Sequence, residues 1–316
     1  MTENVKAEKL IWAVGGGKGG TGKSFIAAGL ALTLGSRTGN AVAIDADLGG
    51  PNLHTLLGDG NGARDLGDFV KNKFPRLEDV AGPTPHAGLK LIRGSDSGLF
   101  LSNLGHAKKL KLIRHVRNLG AAGVIIDLGT GSAYNTLDLF LIARPGILVV
   151  TPEPTAVENA YFFLRSCAGR ILRMYAQYYK MNRLADRLTK EIEDGARTLR
   201  TFLEELRTAG GQEARVLITA LRNFRPALIV NKARTDKDFL LGRAMADVAS
   251  RFFFIDLDVL ETVPFDERVR WCLLRRVPFM LEFPGSPAAR AITLSAENLL
   301  AARALNTKPD IVAAFV

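Results

Sequence analysis

Cysteine is scarce in this sequence, with Cys167 and Cys272 the only two in 316 residues. They form no C-x-x-C pair, which excludes a disulfide framework and a locally built zinc site and leaves buried free thiols as the expectation. Long apolar runs are missing as well: no stretch of about 18 apolar residues occurs, so a membrane-spanning helix is not expected. The opening Met1–Lys9 is polar and mixed in charge, unlike a secretory leader, and cytoplasmic residence is the expectation. Internal repeats and low-complexity tracts are absent. Acidic residues are in deficit, 32 Asp and Glu against 42 Lys and Arg, a net charge of +10. Such a balance favours anionic partners, whether nucleic acid, acidic lipid or an acidic protein, without choosing among them.

The chain does have the material for a large core: 47% of its residues are hydrophobic and 23% charged, the balance of a globular protein. Short apolar runs alternate with helix-period segments, which argues for a βαβ succession and a mostly parallel sheet with helices on both faces. Strands are expected at Leu10–Gly15, Ala41–Asp45, Leu89–Ile92, Gly123–Asp127, Gly146–Thr151, Ala227–Asn231 and Phe253–Leu257. Helices are expected at Ser24–Ser36, Ala107–Leu119, Asn135–Ala143 and Leu240–Ala249. One α/β domain spanning 1–316 accounts for this rhythm. From 165 to 225 the rhythm breaks, and only Val216–Thr219 resembles a short strand. Leu184, Leu188, Ile192, Leu199, Leu203 and Leu206 recur there at helical spacing. The segment holds thirteen Lys or Arg against seven Asp or Glu, a surplus of six. It is expected to be a basic helical insertion, either simply solvated or facing DNA or another acidic surface.

The first strand runs directly into Gly15-Gly-Gly-Lys-Gly-Gly-Thr-Gly-Lys-Ser24. Gly17 to Ser24 satisfies G-x-x-x-x-G-K-[ST], in which glycines let consecutive backbone N–H groups wrap a phosphate. The following helix aims its positive end at the same anion. Lys23 can reach the β- and γ-phosphates and the Ser24 hydroxyl can ligate Mg²⁺. A chance match has odds of roughly one in fifty on composition, and this one sits between a strand and a helix as the chemistry requires. The nucleotide contacts expected here run through Gly17, Lys18, Gly19, Gly20, Thr21, Gly22, Lys23, Ser24 and Phe25. Gly15-x-Gly17-x-x-Gly20 also fits a dinucleotide fingerprint with Asp45 as the ribose acid, but that leaves Lys18, Lys23 and Ser24 without a role.

Acidic residues end two of the expected strands. Asp45 and Asp47 close the second, and Asp127 closes Val124-Ile-Ile-Asp127. In parallel α/β sheets ligands bind beyond the carboxyl ends of the strands, the edge that also carries the phosphate loop. Asp127 thus occupies the position of a Walker B acid, which holds Mg²⁺ through water. Gly129 and Gly131 after it would let a loop swing toward a γ-phosphate.

Lys18-Gly-Gly-Thr-Gly-Lys-Ser24 is similar to the deviant Walker A motif of the MinD/ParA P-loop ATPases, whose hallmark is an extra lysine, here Lys18. Asp45-Ala-Asp-Leu-Gly-Gly-Pro-Asn-Leu-His-Thr-Leu-Leu-Gly58 resembles the first switch of the MinD and FlhG (FleN) branch. Leu77-Glu-Asp-Val, Gly88-Leu-Lys-Leu-Ile-Arg-Gly94 and Thr151-Pro-Glu-Pro-Thr-Ala-Val157 follow in that branch's order. Asn231 resembles the family's adenine-reading asparagine, and Val263-Pro-Phe-Asp266 the loop that closes over the base, through Pro264 and Asp266. The resemblance implies a MinD-like P-loop NTPase fold, ATP and Mg²⁺ as ligands, and a homodimer formed on ATP binding. It implies catalytic roles for Lys18, Lys23 and Asp47, with Lys18 reaching the partner subunit's nucleotide and Asp47 positioning water. Ser24, Asp45 and Asp127 would serve the metal. It further implies slow turnover stimulated by a protein partner, and spatial regulation of flagella or division at the membrane or cell pole. The tail from Ser295 onward has only Arg303 and Lys308 as cations, so no strong C-terminal membrane-targeting helix is expected.

Overall fold

The computed structural model describes residues 9–47, 50, 52–59, 62–95, 104–181, 184, 186 and 196–302. The strand β1 (Leu10–Gly15) is buried along its whole length, as its unbroken apolar run requires of a strand covered on both faces. Alternate residues serve two cores: Ile11 and Ala13 join one, Leu10, Trp12 and Val14 the other. Period-2 alternation sends these two sets to opposite faces of the sheet.

The order along the chain is β1, α1 (Lys23–Thr38), β2 (Ala41–Ala46), the short α2 (Leu53–Leu56) and α3 (Leu66–Val70), then β3 (Gly82–Pro83) and β4 (Leu89–Ile92). There follow α4 (His106–Asn118), β5 (Gly123–Leu128), α5 (Tyr134–Leu141), β6 (Gly146–Val150) and α6 (Pro154–Tyr178). Next come α7 (Ala196–Ala209), α8 (Gln212–Asn223), β7 (Ala227–Ala233), α9 (Asp236–Phe253), β8 (Asp258–Val259) and β9 (Val263–Pro264). The last elements are α10 (Arg268–Arg275), α11 (Phe279–Glu282) and α12 (Pro287–Ala302). The sheet runs β3-β4-β2-β5-β1-β6-β7-β8, with β9 pairing to β7. Its ladders are parallel except β3 with β4. This is the mostly parallel α/β architecture expected from the sequence. The central strands β2, β5 and β1 lie side by side, so the loops after them share one edge.

Two expected strands are corrected. Val216–Thr219 lies inside α8: Ala214, Leu217 and Leu221 are buried at spacings of three and four, and this period outweighs a four-residue run in which three are β-branched. Phe253–Leu257 is not a strand either. The helix α9 runs through Phe253 and stops at Phe254, which takes a left-handed φ of 56°. Phe253, Ile255 and Leu257 are buried alternately, which imitates strand patterning, but the ladder begins only at Asp258.

The basic segment is helical where described. Residue 165 falls within α6, and Phe202, Leu203, Leu206, Leu217 and Leu221 bury into the same core as β6 and β7. Leu188 and Ile192, expected on its apolar stripe, lie outside the described residues. No described helix is long and apolar enough to cross a membrane. The helix α12 buries Ile292, Ala296 and Leu299 against α1, and Arg303 and Lys308 lie outside the described residues.

Candidate functional site

The turn between β1 and α1 is held by side-chain donors. Asn231 Nδ2, at the end of β7, donates to the Thr21 carbonyl at 2.8 Å. Lys23 Nζ donates to the Lys18 carbonyl at 3.2 Å. In a trans peptide C=O and N–H point opposite ways, so fixing the Thr21 and Lys18 carbonyls also fixes the directions of the Gly22 and Gly19 N–H groups. Gly22 is the N-cap of α1 at φ 91°, a conformation glycine adopts without steric cost. A Cβ on Gly17 would lie 2.1 Å from the Asn159 carbonyl, because α6 passes directly against the loop. An anion in this turn meets backbone N–H groups and the positive end of α1 together.

The two lysines differ in setting. Lys23 is 5% exposed, and burial lowers its pKa, opposed by the carboxylates of Asp127 and Asp47. Lys18 is half-buried at the rim, and its Nζ donates to Thr155 Oγ1 at 2.5 Å. Ser24 is half-buried beside Asp127. The ring of Phe25 turns into the apolar layer, edge-to-face on Phe279 at 5.4 Å between centroids. Its backbone N–H is what remains for an anion.

Asp45 and Asp127 stand directly opposite each other on β2 and β5, and both are fully buried. Their neighbours set them apart. Asp45 accepts the backbone N–H groups of Leu53 at 3.0 Å and Asp47 at 3.2 Å, so it anchors the start of α2. Burial raises its pKa to about 7 against these hydrogen bonds. Neither Asp127 oxygen has a hydrogen-bond partner of good geometry among the described residues. Burial, then the charge of Asp45, pushes the Asp127 carboxyl well above its usual range, while the Ser24 hydroxyl and Lys23 oppose the rise. A buried carboxylate left without partners is costly unless a cation or donor completes it. Asp47 lies just past β2, its Oδ1 2.9 Å from where a Cβ on Gly129 would sit; glycine there leaves the acid room.

Among the described residues no cluster of three or more His, Cys, Asp or Glu could cage a metal alone. Mg²⁺ takes one or two protein oxygens and completes its shell with water and phosphate. Asp127 and Ser24 fit such an ion. Asp45 spends one acceptor site on each oxygen to hold backbone N–H groups, which leaves each oxygen a second lone pair. Pro264 lies on β9 beside the end of β7, where Asn231 pairs with Val263. Asp266 is occupied by Arg268, whose Nη2 and Nε donate to it at 2.6 and 2.9 Å; those bonds hold its pKa below the usual range.

Sequence reasoning assigned no site role to Thr155, Asn159 or Lys232, which all touch the loop. Thr151-Pro-Glu-Pro-Thr-Ala-Val157 was visible as a motif, but nothing in the string tells that Thr155 faces Lys18.

The profile of the CobQ/CobB/MinD/ParA nucleotide binding domain matches residues 12–279. The antiactivator FleN of Pseudomonas aeruginosa is 31% identical over 159 residues, 49% of this chain and 55% of its own length. An iron–sulfur cluster carrier protein of Escherichia coli is 44% identical over 166 residues, 49% of this chain and 42% of its own. The chain thus spans about half the length of these relatives. Among solved structures, the septum site-determining protein MinD of Pyrococcus horikoshii, complexed with Mg-ADP, superposes with a TM-score of 0.59 at 20% identity. That superposition covers 92% of this chain and 96% of the other.

Proposed function

Because the chain belongs to the CobQ/CobB/MinD/ParA nucleotide-binding domain family, we propose that it is an ATP-driven dimerising switch that hydrolyses ATP slowly. The observation that carries this reading is Asp127: a buried carboxylate with no hydrogen-bond partner of good geometry among the described residues, beside Lys23 at the edge that bears the phosphate loop. In this mechanism the loop N–H groups and Lys23 bind the β- and γ-phosphates, and Ser24 and Asp127 hold Mg²⁺. The ion, when bound, neutralises charge building on the phosphate oxygens. Asp47 aligns the attacking water. Lys18 leaves Thr155, crosses to the partner subunit's nucleotide, and stabilises transition-state charge as a preorganised donor. Dimerisation creates a surface that hydrolysis erases, a nucleotide-biased two-state equilibrium, and a protein partner accelerates the reset.

Similarity to FleN supports a role in flagellar number or placement, or in choosing the division site. The chain would then be cytoplasmic and peripheral at the membrane or pole. The net charge of +10 supports a second reading, binding of non-specific DNA as ParA-like proteins do, which would weaken steeply with salt. A third is a nucleotide-binding scaffold that hardly releases phosphate. Cluster carriage receives less support despite the 44% identity. Cys167 and Cys272 are both buried, one in each core, on opposite faces of the sheet.

Calorimetry with ATP and Mg²⁺ tests the proposal at its base, and no heat of binding would end it. Lys23→Ala should abolish binding. Lys18→Ala should bind ATP yet sediment as a monomer, and Asp47→Ala should accumulate ATP-bound dimer. Phosphate release with DNA, lipid or a candidate partner separates the three roles.

A further inference from the structure

Along β7 every residue is buried but one, Lys232. The ladder to β9 pairs Asn231 with Val263 and Ala233 with Pro264, so Lys232 is an extra residue on its strand, a β-bulge. It sits at φ 62°, a left-handed conformation that costs a lysine on the order of 1–3 kcal/mol. Bulges re-aim side chains, and strained ones persist where the surroundings over-determine them. Here the re-aimed side chain runs to the phosphate loop: Lys232 Nζ donates to the Gly20 carbonyl at 2.7 Å.

Gly20 lies in a turn of the loop. It is exposed at φ 78°, and a Cβ built on it would meet nothing within 4 Å. No neighbouring group crowds that side of the residue. The carbonyls of Lys18, Gly20 and Thr21 are held by Lys23, Lys232 and Asn231, and two of these donors are neighbours at the bulged end of β7. We infer that Lys232 is a loop-positioning residue. By holding the Gly20 carbonyl it fixes the direction of the Thr21 N–H, and so presets the turn for a triphosphate.

The inference rests on the reading that the loop binds ATP. It assigns Lys232 a geometric task and no direct charge on the phosphates. Glu153, the N-cap of α6, supports this division. The Thr151 hydroxyl, then its own backbone N–H, Lys232 and Lys18 hold its carboxyl below the usual range, so the Lys232 charge acts on a carboxylate of the protein itself.

The test is ATP–Mg²⁺ calorimetry, with phosphate release at saturating ATP, on Lys232→Met, Lys232→Arg and Lys232→Gly. Losing a charge-assisted hydrogen bond should weaken ATP binding about tenfold in the methionine variant, with the saturated rate changed less than about threefold. Arginine should recover most of the affinity. Glycine relieves the backbone, so this variant should melt no lower than the parent and still show the binding deficit, which separates positioning from misfolding. The deficit should persist in about 0.5 M salt, where a purely long-range charge effect is screened. Methionine or glycine variants that bind like the parent, or a deficit erased by salt, would overturn the inference. A parent chain that gives no heat with ATP would instead overturn the proposed function.

Discussion

Gly22 meets two constraints at once. Its φ is 91°, and a Cβ on it would lie 2.3 Å from Asn231 Nδ2. Gly22→Ala should destabilise the chain by about 1–3 kcal/mol through strain alone and push Asn231 off the Thr21 carbonyl; urea denaturation and ATP calorimetry would register both losses. Asp127→Asn belongs at the same scale. It keeps the shape and removes the cation-binding charge, so the ratio of ATP affinities with and without Mg²⁺ should collapse toward one, as titration calorimetry would show. The loop from Gly17 to Ser24 and the acid at 127 were legible because their chemistry is written in one contiguous string. Asp45 and Asp127 looked alike for the same reason, each an acid at the end of an apolar strand. What separates them is the start of α2, whose Leu53 N–H reaches Asp45, and no spacing announces that contact. Thr155 and Lys232 were hidden because each reaches the loop from a remote element.

Among the elements, those with long unambiguous patterns came out where the sequence put them: β1 and β4 match residue for residue, and α1 extends its expected span by one residue before and two after. Errors fell where side-chain burial and backbone form part company. Phe253 at the end of α9 and Ile255 and Leu257 in the connection after it are buried in one core, and a period of two arises without a strand. The basic segment was legible as helical, but its role in packing was not, since its charge suggested a solvated appendage. Phe202 is 1% exposed and lies in the same core as β6 and β7. Phe202→Ala should therefore cost about 3–5 kcal/mol and lower a single melting transition shared with the sheet. A separate early transition for this segment in calorimetric melts would contradict the shared core.

Across the whole molecule, the proposed dimer competes with contacts made inside one chain. Lys18 is tethered to Thr155 in cis and must be released to act in trans. Thr155→Val removes that competing hydrogen bond, worth about 1 kcal/mol net, and should tighten ATP-dependent dimerisation about fivefold in sedimentation equilibrium. An unchanged or weaker dimer would place Thr155 on the productive side of the contact. The division of the interior into two layers gives the chain a built-in pair of clocks. Cys167 reports on one layer and Cys272 on the other, and both thiols are buried in the folded chain. Native-state alkylation rates at the two positions would thus time the loosening of each side of the sheet separately. Comparing the rates with and without nucleotide would reveal which side the ligand tightens.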